Sequence, residues 1–283
     1  MSSREKAALR PLPGYPTPTS WVARRLAAIP RPWLSLLLLA LLVKGVLIGL
    51  TLAAYGVNPD PLTALGREWD RWDAQHYLYL AANGYAAGGD ARNLIAFFPL
   101  YPALVSAVAS VGLPLRLAAL LISNLAGLIA AILLYELARL DQPAKAAFRA
   151  AAFFTVFPTA YFLLVGYTEA LFCALAFGAV YAARRRQWMA AGMVGGLAAA
   201  ARLTGLVLVP YLLVEAAALL RDDEHRQQRR EALASTALVS VGFVVYLATN
   251  KLVLGDPLAF VAVQRKHWSH SLAAPWVGFA EAI

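Results

Sequence analysis

Apolar positions dominate the chain from Trp33 to Asn250, broken by short polar stretches at intervals of one or two bilayer crossings. The first run, Trp33 to Val57, carries a single charge, Lys44, and exceeds the roughly 20 residues needed to cross the hydrocarbon core. Leu94 to Ala138 divides at "GLPLR" into two runs, and Pro99 and Pro102 interrupt the first of them. Residues 150–183 and 187–220 are each long enough for two short helices, with turning points expected near Pro158 to Glu169 and near Arg202 to Gly205. Ala232 to Asn250 predicts a last span. The expected fold class is all-α: a polytopic membrane helix bundle of about seven or eight membrane helices. Residues 1–32 read as a disordered basic cytoplasmic tail and 33–283 as one transmembrane domain.

The polar interruptions give this pattern a direction. The tail before the first run is basic, whereas residues 58–93 carry an acidic excess, so the positive-inside rule puts the N-terminus in the cytoplasm and this loop outside. Three later loops are basic: "RLDQPAKAAFR" (139–149), "RRR" (184–186) and "RDDEHRQQRRE" (221–231). They belong together on the cytoplasmic face if residues 94–111 stop short of a full crossing. Composition agrees with a membrane protein. The chain is 60% hydrophobic and 14% charged, where soluble domains carry about a quarter charged residues. Its formal charge of +9 lies in short clusters between apolar runs, which argues against nucleic acid as a partner. The single cysteine, Cys173, cannot form an intrachain disulfide.

Against this apolar background "EWDRWDAQHY" (68–77) is unusual. Residues three and four apart share a helix face, so a helix here places Asp73 beside Trp69, Asp70, His76 and Tyr77. With tryptophan and tyrosine favouring the headgroup level, the stretch predicts an amphipathic helix on the outer leaflet that presents a carboxylate. Asp70 is the second candidate, expected to face Arg67 or Arg71. Lys44 sits near the middle of the first span and needs a partner, while Glu169 and Arg202 fall at the two expected outer turning points. One carboxylate with cations on the outer face suits sugar transfer from a lipid-linked phosphate. The acceptor hydroxyl needs a base, and a phosphate leaving group needs positive charge more than a proton. A glycosidase would normally need two carboxyl groups flanking the bond. A transporter or flippase with a charged path of Lys44, Glu169 and Arg202 is the alternative. A metal enzyme using His76, His267 and His270 is a weaker one.

The residues also resemble a known family. "WDAQHYLYLAANGY" with "AFFPLYP", then "FPTAYFLLVGYTEALF" and "ARLTGLVLVP", resemble the ordered blocks of the PIG-V mannosyltransferases of the GT-C superfamily. "GDPLAFVAVQRKHW" and the following "PW" resemble a block of bacterial-type relatives. The resemblance implies a GT-C-like fold and an inverting mannosyltransferase, with no cofactor at the site. It implies a polyprenyl-phosphate-linked sugar donor, a glycolipid or glycan acceptor and a bacterial cytoplasmic membrane setting. Asp73 then takes the catalytic position. Trp72, His76, Glu169, Arg202, Asp256, Gln264, Trp268 and Lys44 are the substrate-binding candidates. Such relatives usually continue beyond "PWVGFAEAI", which implies a chain incomplete at its C-terminus.

Overall fold

Helices begin where proline stops the preceding chain. Pro99, Pro114 and Pro143 each immediately precede a helix, at positions where the missing N–H and the fixed φ cost nothing. The computed structural model describes residues 30–55, 66, 69–218, 226–268 and 277. The expected tail lies almost wholly outside the described residues. All regular elements among them are helical: α1 (Arg31–Tyr55), α2 (Asp73–Asn83), α3 (Leu100–Ala109), α4 (Leu115–Arg139), α5 (Ala144–Val156), α6 (Glu169–Arg184), α7 (Trp188–Ala201), α8 (Leu208–Ala218), α9 (Arg226–Leu254) and α10 (Ala259–His267). Short 3₁₀ turns cover Asp90–Ala96, Pro158–Leu163 and Leu203–Val207.

Three helices among the described residues are long and apolar enough to cross a membrane: Arg31–Ala54, Leu115–Arg139 and Arg226–Leu254. The other apolar runs are shorter or broken. The turn Asp90–Ala96 meets α3 at a bend of 112°. The ten residues of α3 reach about 15 Å, half the hydrocarbon thickness. α3 folds back along α4, with the Tyr101 hydroxyl donating to Ala119 O at 3.1 Å and lying 2.8 Å from Ser123 Oγ. The breaks at Pro158–Leu163 and Leu203–Val207 fall in the two stretches read as turning points.

The bundle centre is built from small residues. α7 lies against α9 so closely that a Cβ on Gly196 would come within 2.7 Å of Leu238 O, and one on Gly192 within 2.7 Å of Ser235 Cα. Glycine permits this approach, and close packing is what holds helices together where lipid already satisfies apolar surface. α6 and α8 complete this layer around Ala179, Ala198, Leu212 and Val239. α1 leans on α4 and α5 through Leu36, Tyr135 and Ala147, with the Trp33 indole donating to Glu136 Oε1 at 2.7 Å.

The basic loops gather at one end. Arg184 makes a two-pronged contact with Asp141 at 2.8 and 3.1 Å, and Arg186 Nη1 donates to Gln228 Oε1 at 3.1 Å, so all three loops are linked directly. α6 runs from Glu169 to Arg184 and α7 from Trp188 to Ala201. Glu169 and Arg202 therefore stand at the opposite end from the basic loops.

Candidate active site

At that opposite end lies a cavity of about 270 Å³, lined by Asp73 and Tyr77 of α2, Phe97 and Phe98, Arg202 and Thr204, and Gln264 of α10 with Trp268 just after it. Asp73 is the first residue of α2, where the positive end of the helix dipole favours a carboxylate. Its burial pushes the carboxyl above the ordinary aspartate range, and the nearby His76 and Arg202 pull it part of the way back. The helix therefore starts at Asp73, later than the continuous helix expected through residues 68–77. Trp72 explains the difference, because its φ of 50° lies in the left-handed region. A bulky side chain held there costs on the order of 1–3 kcal/mol, and such strain persists only where surrounding contacts fix it. Tyr167 supplies one such contact. Its hydroxyl donates to Arg71 O at 2.9 Å and lies within reach of the N–H groups of Asp73 and Ala74.

Arg202 follows the last turn of α7 in an extended conformation. The chain then folds back over the helix end at Gly205, where a Cβ would lie 2.5 Å from Ala199 Cα. This close approach is the physical content of the glycine in "ARLTG". Among the described residues the guanidinium is anchored through one corner: Nη1 donates to Thr168 Oγ1 at 2.9 Å and to Glu169 Oε1 at 2.6 Å. Thr168 is fully buried, and its hydroxyl also meets Tyr77 Oη at 3.3 Å, so a hydrogen-bonded chain joins α2, the start of α6 and the end of α7. Burial raises the Tyr77 hydroxyl far above its ordinary pKa, which keeps it a neutral donor. Glu169 Oε2 has no hydrogen-bond partner among the described residues, and the side chain also borders an apolar groove of about 560 Å³ with Phe153, Phe157 and Cys173.

The other expected site residues divide. Gln264 and Trp268 line the cavity, with the Trp268 ring edge-on to Phe97 at 5.8 Å. His76 packs on Phe97 at 5.1 Å, close enough to influence Asp73. Trp72 is 65% exposed and lies outside the lining, as its strained backbone turns it outward. Asp256 also lies outside the lining. Its Oδ1 accepts from Leu258 N–H at 2.9 Å, shaping the turn after α9. Lys44, on α1, neither lines the cavity nor joins the Arg202–Glu169 pair, so the charged path proposed for a transporter is not assembled. Asp70 pairs with Arg116 of α4, and of the two partners expected from sequence Arg67 lies outside the described residues. A partner 46 residues away cannot be read from local spacing. Among the described residues no group of three His, Cys, Asp or Glu side chains is placed to share a metal ion, and His270 lies outside them. Sequence marks Tyr77 only as a helix-face neighbour of Asp73 and marks neither Thr168 nor Thr204 as a site residue. The helix-entry position of Thr168, directly before Glu169 in "GYTEALF", is the one local signal for it.

Most of these residues fall within a single family match. The family described as Mannosyltransferase (PIG-V) matches residues 63–266. The chain belongs to the PIG-V mannosyltransferase family. Its matched region begins ahead of α2 and ends within α10, and so contains the whole cavity except Trp268. GPI alpha-1,6-mannosyltransferase 2 of Rattus norvegicus is 34% identical over 173 residues, 57% of this chain and 34% of that protein. The protein of the same description from Cricetulus griseus is 34% identical over 154 residues, and that from Homo sapiens 32% over 153, each match covering 50% of this chain and 30% of the relative. This PIG-V family chain thus covers about a third of the length of the curated relatives it matches. No solved structure matches the chain.

Proposed function

We propose that this PIG-V family chain transfers mannose from a polyprenyl-phosphate donor to a hydroxyl of a glycolipid or glycan acceptor outside the cytoplasm. The observation carrying the reading is that Asp73 and Arg202 line one cavity, with the Arg202 charge close enough to act on the Asp73 carboxyl. In the reaction the acceptor oxygen bonds to the anomeric carbon as the bond from that carbon to the phosphate oxygen breaks, inverting the centre. The acceptor proton passes to Asp73, and Arg202 stabilises the charge on the departing polyprenyl phosphate. In this reading Trp268 and Gln264, which also line the cavity, contact the sugar. The experiment supplies polyprenyl-phosphate mannose to the chain in membranes and scores released polyprenyl phosphate and mannosylated product. Absence of transfer by the folded chain overturns the reading.

The base has a pH signature. Asp73 works only when deprotonated, and burial raises its carboxyl, so kcat falls as pH drops through that raised value. The acid limb is expected above the ordinary aspartate value of about 3.9. A limb at or below that value in a kcat profile would remove Asp73 as the base.

Orientation follows from charge. With the linked basic loops in the cytoplasm, the cavity opens on the outer face and the shorter apolar helices complete the seven or eight crossings read from hydropathy. A cysteine at the exposed Asn83, introduced with Cys173→Ser, is expected to react with a membrane-impermeant thiol reagent added to intact cells. Labelling only after permeabilisation would reverse the orientation.

A further inference from the structure

We infer that the ion pair between Asp70 and Arg116 is a positioning device, which holds the segment before α2 so that Asp73 faces the cavity. The inference rests on the transferase reading above. Three consecutive residues ahead of Trp72 are tied to three different elements. Trp69 Nε1 donates to Thr51 Oγ1 of α1 at 3.2 Å, the Asp70 carboxylate accepts from Arg116 Nε in the first turn of α4, and Arg71 O accepts from the Tyr167 hydroxyl at 2.9 Å. The chain then passes through the left-handed Trp72 and reaches Asp73 one residue later.

The pair is packed against Gly66. A Cβ on Gly66 would lie 2.5 Å from Arg116 Cζ and 2.6 Å from Nη1, so glycine at this position leaves the room the guanidinium occupies. The Asp70 N–H donates to Gly66 O at 3.0 Å, an i to i−4 bond, and Gly66 and Trp69 are both helical. The Asp70 side chain is 14% exposed, and burial raises its carboxyl despite the Arg116 charge. Burying a charge in this way is a poor route to stability, because desolvation offsets much of the attraction. What the pair supplies is a directed contact that fixes a strained turn relative to a membrane helix. Asp70 itself does not line the cavity, so it acts through Asp73.

The groups facing Asp73 are His76 and Tyr77 on its own helix, Tyr167 ahead of α6, and Arg202 after α7, with Thr204 and Gln264 across the cavity. Releasing the segment admits water to Asp73 and removes part of the burial that raises its carboxyl. In the full chain in lipid nanodiscs, Arg116→Ala and Asp70→Asn are each expected to lower kcat by about tenfold, the scale of a modest misplacement of a reacting group. Donor KM should stay within about twofold, and the acid limb of kcat should move to lower pH by about half a pH unit. Arg116→Lys should restore most of kcat, and the double variant should be no worse than either single one. Amides 69–74 should exchange faster with deuterium in Arg116→Ala. A general loss of fold would reduce the active fraction without moving the limb. Unchanged kcat and limb in both variants, or unchanged exchange, overturns the positioning role and leaves the transferase reading standing. Absence of Asp73-dependent transfer in the unmodified chain overturns both.

Discussion

Asp73→Asn is expected to reduce mannosyl transfer by about 10²- to 10⁴-fold while donor binding survives, the usual worth of a positioned general base. The amide keeps the size of the carboxyl and much of its hydrogen bonding but cannot take the acceptor proton. The contacts that hold this residue run through backbone, since the Tyr167 hydroxyl bonds Arg71 O and faces the N–H groups of Asp73 and Ala74. The substitution should therefore leave α2 in place. It also removes a negative charge near Arg202, so donor affinity should hold or rise slightly. Quenching of tryptophan fluorescence on addition of polyprenyl phosphate reports binding through Trp268 at the cavity wall, and released polyprenyl phosphate reports turnover. Transfer within tenfold of the unmodified chain, in a variant that binds donor, would show that the proton goes elsewhere.

The features legible in the sequence are those governed by local pattern. Hydropathy marks α1, α4 and α9 because lipid exposure requires unbroken apolar surface over a full span. Pro158 and the "RLTG" after Ala201 mark breaks because proline and a tight glycine turn end helices locally. Clustered arginines mark one end of the bundle, and the bonds from Arg184 to Asp141 and from Arg186 to Gln228 place these loops side by side. The meeting of Asp73 with Arg202 follows once both lie at the other end.

What the sequence conceals depends on geometry between distant segments. The start of α2 at Asp73 is set by a positive φ at Trp72, a conformation that tryptophan does not favour and that only tertiary contacts hold. The same turn sends Trp72 outward, away from the substrate role that its neighbour in sequence suggests. Thr168 looks like an ordinary helix-entry residue, yet its buried hydroxyl joins Tyr77 to Arg202 across 91 and 34 residues of sequence. Asp256 stands in a recognisable block but spends its carboxylate on the turn it occupies. Helix α3 reads as half of an apolar run and folds back as a short hairpin because Tyr101 satisfies its hydroxyl on α4.

Arg202→Lys is the second large expected effect, a fall in kcat/KM for the lipid-linked donor of about 10²-fold, comparable to losing one preorganised donor to a developing anion. In the proposed mechanism arginine at this position has two tasks, carried by separate nitrogens. Nη1 is occupied by Thr168 Oγ1 and Glu169 Oε1, which leaves the rest of the planar fork for two phosphate oxygens in the cavity. Lysine keeps the charge but has one nitrogen, which cannot satisfy Thr168, Glu169 and a phosphate together in the same geometry. Because the charge remains, Glu169 keeps a partner and the fold should persist, whereas Arg202→Ala would leave the Glu169 carboxylate without one and confuse stability with function. Both donor affinity and kcat should fall, since the phosphate is bound in the ground state and gains charge as the bond to the sugar breaks. Thr168→Val separates the two tasks, because it loosens the anchored corner while leaving the fork intact and should cost less than the lysine variant. Donor affinity and kcat/KM unchanged in Arg202→Lys would reduce Arg202 to the structural partner of Glu169, and the cation for the leaving phosphate would have to be sought elsewhere on the cavity rim.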